Sequence, residues 1–244
     1  MYLEIYKDYE TLSLHVADEI IALVKRKPSA VLCLAAGDTP RLTYALLARK
    51  AHDERMDFSQ CTFIGLDEWV GIPPTNEGSC HFFLKHHLFE PLHILSDQIH
   101  LFDSLSENIQ QECIKMDAVI RGRVGGIDLM VVGVGLNGHI GFNEPGVKMD
   151  SYSHVIQLDA TTQAVGQKYF HQPTKIEFGI TLGLQHLMNS RKVILMASGT
   201  KKAEVIRKAM EDSIGAEMPA SIIRNHPLGM VLLDEDAASL MKRN

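Results

Sequence analysis

The feature that most constrains this chain is a series of short, apolar runs separated by longer amphipathic stretches. Runs such as AVLCLA and IDLMVVG show little polar alternation, which is typical of strands buried on both faces. The stretches between them repeat apolar residues at helical spacing. The pattern therefore predicts an α/β fold with an open, doubly wound, mostly parallel sheet and helices on both faces, similar to a Rossmann fold.

The apolar runs predict five parallel strands, at residues 30–35, 62–66, 127–133, 193–197 and 230–233. The amphipathic stretches predict helices at residues 9–25, 40–51, 79–89, 107–123, 161–170, 182–188, 201–211 and 235–242. The sequence contains no internal repeat and no linker, so we expect a single domain over residues 1–244.

Composition excludes several classes of protein. A chain of 244 residues can bury roughly 70% of its unfolded surface, so its core needs no disulfide or structural metal. Its 24 Lys+Arg and 30 Asp+Glu give a net charge of −6, which argues against a broad nucleic-acid-binding face but leaves room for one local phosphate site. The acidic N-terminus and the lack of a long apolar stretch predict neither a secretory signal nor a membrane span.

The cysteines and histidines predict no metal or redox site. The four cysteines are far apart and form no C-x-x-C pair, which is typical of a protein in a reducing cytoplasm. His81, His86 and His87 are clustered, but their spacing does not place them on one face of a helix as metal ligands. We expect no cofactor.

The segments directly after the predicted strands are the candidate site, because open α/β sheets bind ligands outside the carboxyl ends of their strands. In the segment AAGDTP, Gly37 follows a strand, and Thr39 is expected to cap a helix that begins at Pro40. The free N–H groups of such a turn can hold a phosphate. The alternative is a plain connection, which Asp38 favours, since a carboxylate repels an anion unless it points away.

A second segment, SGTKK, repeats this arrangement after another strand. Thr200 is expected to cap a helix whose first residues are Lys201 and Lys202. Cations in a first helical turn oppose the helix dipole, so a bound anion is one explanation for the pair and solvated lysines are the other.

The segment DEWVG places acidic residues at the end of a strand. Alternation along the strand predicts that Asp67 and Glu68 point to opposite sides, which excludes a glycosidase-type pair. A single carboxylate at this edge is either a helix cap or a base. Trp69 is expected to serve packing.

The loop GVGLNGHIGFNEPG admits two interpretations. It contains G-x-G-x-x-G directly after a strand, and Asp159 follows about twenty residues later, which is the dinucleotide-binding pattern. However, later glycines and a proline interrupt the helix that this pattern requires. We therefore interpret the glycines as letting the backbone pass close to a ligand, and His139 with Glu144 as a proton-transferring histidine and its orienting carboxylate.

Taken together, these motifs resemble the glucosamine-6-phosphate deaminase (isomerase) family. The resemblance rests on LDEWVG and GVGLNGHIGFNEPG, and AAGDTP, ITLG and SGTKKA follow the order that the family uses over nearly the whole chain. The 6-phosphogluconolactonases share the fold and a similar Gly-His core, but IGFNEPG favours the deaminases. The resemblance implies conversion of a 2-amino-2-deoxyhexose 6-phosphate to a 2-ketohexose 6-phosphate and ammonia, and we expect a cytoplasmic enzyme of the hydrolase class.

The same resemblance assigns the residues. His139, oriented by Glu144, would open the pyranose ring, and Asp67 would carry the C2 proton to C1 as a carboxylate with an ordinary pKa of about 3.9. Gly37, Thr39 and Lys202 would bind the 6-phosphate. Lys168 would clamp it from a mobile lid near residues 150–180.

Three departures from the family pattern affect these expectations. Asn137 stands where some members carry an aspartate of the histidine relay, so His139 would have one carboxylate partner and the pH optimum could shift. Lys168 replaces an arginine, which weakens geometric discrimination of the phosphate. Cys80 replaces a tyrosine and, with ITLGL, resembles the galactosamine-6-phosphate branch, so the C4 epimer is also a candidate substrate.

Two other functions remain open at this stage. One is the 6-phosphogluconolactonase reaction, and the other is a regulator that binds a sugar phosphate without converting it. In each case the expected partner is a small sugar phosphate, not a nucleic acid or a membrane. The sequence leaves open whether the protein is a monomer or a homo-oligomer.

Overall fold

The computed structural model describes residues 1–123 and 125–242. Its strands are β1 (Tyr2–Tyr6), β2 (Val31–Leu34), β3 (Thr62–Ile64), β4 (Asp67–Trp69), β5 (Ile99–His100), β6 (Leu129–Val132), β7 (His154–Gln157), β8 (Phe178–Thr181), β9 (Lys192–Ala197) and β10 (Gly229–Asp234). Its α-helices are α1 (Tyr9–Arg26), α2 (Asp38–Asp53), α3 (Cys80–Leu84), α4 (Ile109–Arg121), α5 (Ala160–Gly166), α6 (Leu184–Asn189) and α7 (Ala203–Glu211). A π-helical turn spans Lys85–Phe89, and 3₁₀ turns span Ser96–Gln98, Gln167–Tyr169, Thr200–Lys202 and Pro219–Asn225.

The larger sheet has seven strands in the order β1-β10-β9-β6-β2-β3-β5, and every neighbouring pair is parallel. From β2 the chain builds outward to β3 and β5, and from β6 it builds in the opposite direction. The order therefore reverses between β2 and β6, where such sheets form a ligand-binding crevice.

Helices cover both faces of this sheet. On one face, α1 and α2 bury Ile20 and Tyr44 against the strands. On the other face, α4, α6 and α7 bury Met116, Leu187 and Ile206. The predicted fold class, a doubly wound parallel sheet, is confirmed.

A second, antiparallel sheet has the order β4-β8-β7. Only two residues separate β3 from β4, so the chain passes almost directly from the large sheet to the small one. In the register of the small sheet, Asp67 lies opposite Thr181. The sheet is covered by a small core that includes Trp69, Phe142 and Ile176, so the packing role expected for Trp69 is confirmed.

The five predicted strands are all present, but the sequence interpretation missed five others. The edge strand β1 is mostly exposed and lacks the buried apolar pattern. Strand β5 has two residues, and the strands of the small sheet have three or four, which is too short for a periodic signal. Among the described residues, every helix is too short or too polar to span a lipid bilayer.

The helix predicted at residues 235–242 is wrong. The segment forms isolated turns instead, such as the bonds from Ala238 N–H to the Asp234 carbonyl and from Met241 N–H to the Ala238 carbonyl. The Asp234 carboxylate also accepts from Ala237 N–H at 2.7 Å and from Gly199 N–H at 3.0 Å. These bonds tie the segment to the end of β9, and no continuous helical ladder forms.

Candidate active site

A cavity of about 690 Å³ lies at the reversal point, at the carboxyl ends of β2, β6 and β9. The side chains or backbone of seven predicted site residues line it: Gly37, Thr39, Asp67, Asn137, His139, Lys168 and Lys202. Glu144 is buried and contacts Nδ1 of the His139 ring. The fold thus places seven of the eight predicted residues around one cavity and the eighth, Glu144, behind His139.

The turn after β2 differs from the prediction in one detail. Helix α2 begins at Asp38, and its N-cap is Gly37, whose φ of +114° favours glycine. Thr39 is therefore inside the first turn and does not cap the helix. The N–H groups of a first turn have no partners within the helix, so this end of α2 can accept an anion.

The turn after β9 has the same form. Gly199, at φ +85°, precedes the 3₁₀ turn that contains Thr200, Lys201 and Lys202, so Thr200 is not the cap that the sequence suggested. The Lys202 ammonium is half-buried and donates to the Val134 carbonyl at 2.5 Å. Burial, together with the charge of Lys168, lowers the pKa of Lys202 to about 8.

Lys168 and Asp38 form an ion pair across the mouth of the cavity. The Lys168 Nζ lies 2.8 Å from Asp38 Oδ2, and Arg41 contacts the other carboxylate oxygen at 3.3 Å. Burial raises the pKa of Asp38, but the hydrogen bonds and charges of Lys168 and Arg41 together outweigh it and lower the pKa of the carboxyl. Both partners are about half exposed, so the pair contributes at most about 1 kcal/mol to stability.

Asp67 and Glu68 lie on opposite sides of β4, as predicted. Asp67 faces the cavity. Glu68 is buried and accepts backbone N–H groups from Trp69 (2.8 Å), Cys80 (3.0 Å) and His81 (2.8 Å), so it caps the start of α3. Glu68 is therefore the helix cap, and Asp67 is the carboxylate that faces the cavity.

The pKa of Asp67 is not the ordinary value expected from the sequence. Burial and the neighbouring charge of Glu68 raise the pKa of Asp67 to about 7, although a contact with Cys80 partly opposes the shift. A carboxylate with a pKa close to neutral pH is a better proton acceptor than one at about 4.

His139 and Glu144 form the core of a hydrogen-bonded cluster. His139 Nδ1 lies 3.4 Å from Glu144 Oε2, and the Asn137 amide donates to the same oxygen at 2.7 Å. The Thr162 hydroxyl lies 3.1 Å from His139 Nδ1. Burial raises the pKa of Glu144, but His139, Thr162 and Asn137 together more than offset it, and the net pKa is lowered.

The glycines of the loop accommodate side chains of the site. A Cβ at Gly135 would lie 2.3 Å from the His139 ring. Gly141 has φ +58°, and a Cβ there would lie 2.8 Å from Thr181 Oγ1 and 3.4 Å from Asp67 Oδ2. The sequence suggested that these glycines let the backbone pass close to a ligand, whereas in the structure they let it pass close to protein side chains.

The dinucleotide interpretation is excluded by the local structure. After Gly138 the chain continues as turns and an isolated bridge, without the helix that a pyrophosphate needs. Asp159 caps α5 by accepting Thr161 N–H at 2.8 Å. Within the described residues, no group of three or more His, Cys, Asp or Glu side chains is placed to hold a metal ion.

Sequence reasoning missed two polar residues of the site. Thr162 and Tyr169 come from α5 and the 3₁₀ turn after it, which connect β7 to β8 of the small sheet. The Tyr169 hydroxyl approaches Gly37, where a Cβ would be 3.4 Å away. Reading only the carboxyl ends of parallel strands could not identify them.

Comparison with known proteins gives consistent relationships. The family model described as glucosamine-6-phosphate isomerases/6-phosphogluconolactonase matches residues 8–232. The chain is 37% identical to the glucosamine-6-phosphate deaminase of Bacillus pumilus (strain SAFR-032), over 96% of this chain and 98% of that protein. It is also 37% identical to the glucosamine-6-phosphate deaminase of Clostridium perfringens (strain SM101), over 99% and 100% of the two chains.

Solved structures show two degrees of similarity. A monomeric glucosamine-6-phosphate deaminase has a TM-score of 0.95 and 33% identity, over 98% of this chain and 100% of that one. The 6-phosphogluconolactonase of Trypanosoma brucei has a TM-score of 0.75 at 19% identity, over 99% and 98%, which shows the fold alone. The expected hydrolase class is wrong, because these relatives are named deaminases and the family description names isomerases.

Proposed function

Because this chain belongs to the family of glucosamine-6-phosphate isomerases and 6-phosphogluconolactonases, we propose that it is a deaminating isomerase of hexosamine 6-phosphates. Its reaction converts glucosamine 6-phosphate to the 2-ketohexose 6-phosphate with release of ammonia. The observation that carries the proposal is that Asp67 and His139 line one cavity whose rim carries two glycine turns suited to a phosphate. The proposed site of action is the cytoplasm, consistent with four free cysteines.

The 6-phosphate binds between the two turns. The backbone N–H groups of Gly37, the N-cap of α2, and of Thr39 in its first turn donate to phosphate oxygens, and Lys202 supplies a charge. A bound dianion favours the charged form of Lys202, which counters the effect of burial on its pKa. Lys168 adds a second charge if the phosphate draws it from Asp38, as expected for a residue on a lid near residues 150–180.

His139 opens the sugar ring. Its Nδ1 faces Glu144 and Thr162, which leaves Nε2 for the sugar. Ring opening moves the O1 proton to the ring oxygen, and an imidazole that accepts one proton and returns another performs both halves of this transfer. Asn137 holds Glu144 in place through its amide.

Asp67 then moves a proton between adjacent carbons. Its carboxylate takes the C2 proton of the open-chain amino aldehyde and returns it to C1, while O1 gains a proton and the C2 amino group loses one. The products are a C1 alcohol and a C2 imine. Water replaces the imine nitrogen, releasing ammonia and leaving a ketone. The raised pKa of Asp67, about 7, supports this role because the carboxyl both accepts and returns the proton near neutral pH.

The test is to incubate the protein with glucosamine 6-phosphate and, separately, galactosamine 6-phosphate, and to assay ammonia. Ammonia from the first supports glucosamine 6-phosphate as substrate. A higher kcat/KM for the second assigns the C4 epimer, which Cys80 at the cavity wall suggests. Ammonia from neither contradicts the proposal, and 6-phosphogluconolactone is then assayed for hydrolysis.

Asp67→Asn separates catalysis from mere binding. The variant should abolish solvent deuterium incorporation at C1 of the product while still binding sugar phosphate. A wild-type protein that binds the substrate but neither releases ammonia nor exchanges deuterium would instead be a regulator.

A further inference from the structure

We propose that Thr162 is a positioning residue for His139, and that its hydroxyl carries the hydrogen bond between His139 and Glu144. The role in ring opening rests on the proposed function, but the hydrogen bond itself is a property of the free protein. If the proposal is correct, the orientation of the catalytic imidazole depends on helix α5, which lies outside the loop that contains His139 and Glu144.

The distances favour a path through the hydroxyl. Thr162 Oγ1 lies 3.1 Å from His139 Nδ1, whereas Glu144 Oε2 is 3.4 Å from the same nitrogen. A hydroxyl can accept one hydrogen bond and donate another. In the proposed path Thr162 accepts Nδ1–H and turns its own hydrogen toward the carboxylate. A hydrogen bond from Thr162 is also among the causes that lower the pKa of Glu144.

This arrangement fixes one tautomer of the neutral ring. The hydrogen on Nδ1 is held by Thr162 and Glu144, so Nε2 carries the free lone pair that faces the cavity. Thr162 is buried, which protects its hydrogen bond from competition with water. The Asn137 amide approaches Thr162 Oγ1 at 3.5 Å, so the hydroxyl contacts both Asn137 and His139.

A second contact places the start of α5 against the same carboxylate. The backbone N–H of Asp159, the N-cap of α5, donates to Glu144 Oε1 at 3.3 Å. Helix α5 thus reaches the cluster through Asp159 and through Thr162, and it continues into the turn that carries Lys168. The position of α5 therefore affects the orientation of the His139 ring through these two contacts.

The test uses Thr162→Val, which keeps the shape of the side chain and removes the hydroxyl. Two-bond ¹H–¹⁵N spectra of the histidine rings should show His139 as the Nδ1–H tautomer in the wild type and as a mixture in the variant. We expect kcat for ammonia release to fall roughly 10- to 100-fold with little change in KM. Thr162→Ser, which restores the hydroxyl, should return kcat to within about threefold of the wild type.

Thr43→Val is the matched control, because Thr43 is equally buried but its hydroxyl contacts only the Met196 sulfur, at 3.9 Å. This control should leave both the His139 spectrum and kcat unchanged. An unchanged His139 tautomer in folded Thr162→Val would overturn the proposal. If the wild type releases no ammonia, the proposed function fails, while the spectra still decide the role of Thr162.

Discussion

At the scale of single residues, Asp67 combines a catalytic advantage with a cost in stability. Its raised pKa, about 7, follows from burial and from the charge of Glu68. Because the proposed reaction needs the ionised carboxylate, we expect kcat/KM to fall as the pH decreases through about 7. A pH–rate profile between pH 5.5 and 9 measures this limb, and a profile that stays flat down to about pH 5 would contradict the assignment.

Asp67→Asn should stabilise the protein while it abolishes activity. A carboxyl with a folded pKa above its unfolded value of about 3.9 favours folding at low pH, and this contribution is lost as the pH rises through about 7. Removing the charge should therefore raise the free energy of unfolding by roughly 1–3 kcal/mol at pH 8, and by less toward pH 5. Urea unfolding at both pH values measures the difference.

The control for this prediction is Asp53→Asn, at the exposed end of α2. It removes one carboxylate without relieving a buried charge, so its stability relative to the wild type should not depend on pH in this way. Equal gains in the two variants would show that net charge, and not the burial of Asp67, is responsible.

Asn137→Asp should move the pH optimum upward. The Asn137 amide donates to Glu144 at 2.7 Å, and an aspartate there would place a second negative charge beside His139. This charge stabilises the protonated imidazole, so the ring loses its proton at higher pH. The two carboxylates also repel each other, and we expect a lower melting temperature at pH 8. A lower or unchanged optimum would contradict the prediction.

At the scale of structural elements, the N-terminus of α2 carries both the proposed phosphate site and a carboxylate that opposes it. Asp38 competes with a phosphate for the helix end and for Lys168. Asp38→Asn should therefore lower KM about threefold at low ionic strength, with a smaller effect in high salt. Steady-state kinetics at two salt concentrations test this, with Asp53→Asn at the other end of the helix as control. A raised KM would mean that Asp38 positions Lys168 productively.

How much could be predicted from the sequence also varied by element. The central strands were predictable because both faces of segments such as Val31–Leu34 and Leu129–Val132 are buried, which leaves an uninterrupted apolar run. The small sheet was not, because its three-residue strand at Asp67–Trp69 depends on partners about 110 residues away along the chain. The apolar runs also mark where each central strand ends, so the site residues at those ends were predictable. Thr162 was not, because it reaches the site only through the tertiary position of α5.

Helix starts were the least predictable boundaries. Thr39 and Thr200 are good capping residues, but glycines at positive φ occupy both cap positions. A turn that must leave its N–H groups open to a ligand gains nothing from a side-chain cap that would occupy them. Capping preference was therefore overridden at the two turns where we propose that the phosphate binds.

At the scale of the whole molecule, residues 160–171 line one side of the cavity. Thr162 contacts His139 and Phe170 packs against Trp69, whereas the ion pairs Lys168–Asp38 and His171–Glu77 are substantially exposed. We expect amide hydrogens of residues 160–171 to exchange quickly in the free protein and about tenfold more slowly with bound ketohexose 6-phosphate. Residues 16–26 of helix α1, which do not line the cavity, are the internal control in the same mass-spectrometric experiment and should show no change.

The chain passes from the larger sheet to the smaller one between β3 and β4, and this has a consequence for how a sugar phosphate binds. The two turns proposed to bind phosphate belong to the seven-stranded sheet, whereas Asp67 is paired with Thr181 in the three-stranded one. The proposed phosphate site and the proposed proton carrier therefore lie on different sheets. We expect that inorganic phosphate, which reaches only the two turns, leaves Asp67 unaffected, and that C1 and C2 are placed correctly only in a molecule long enough to contact both sheets.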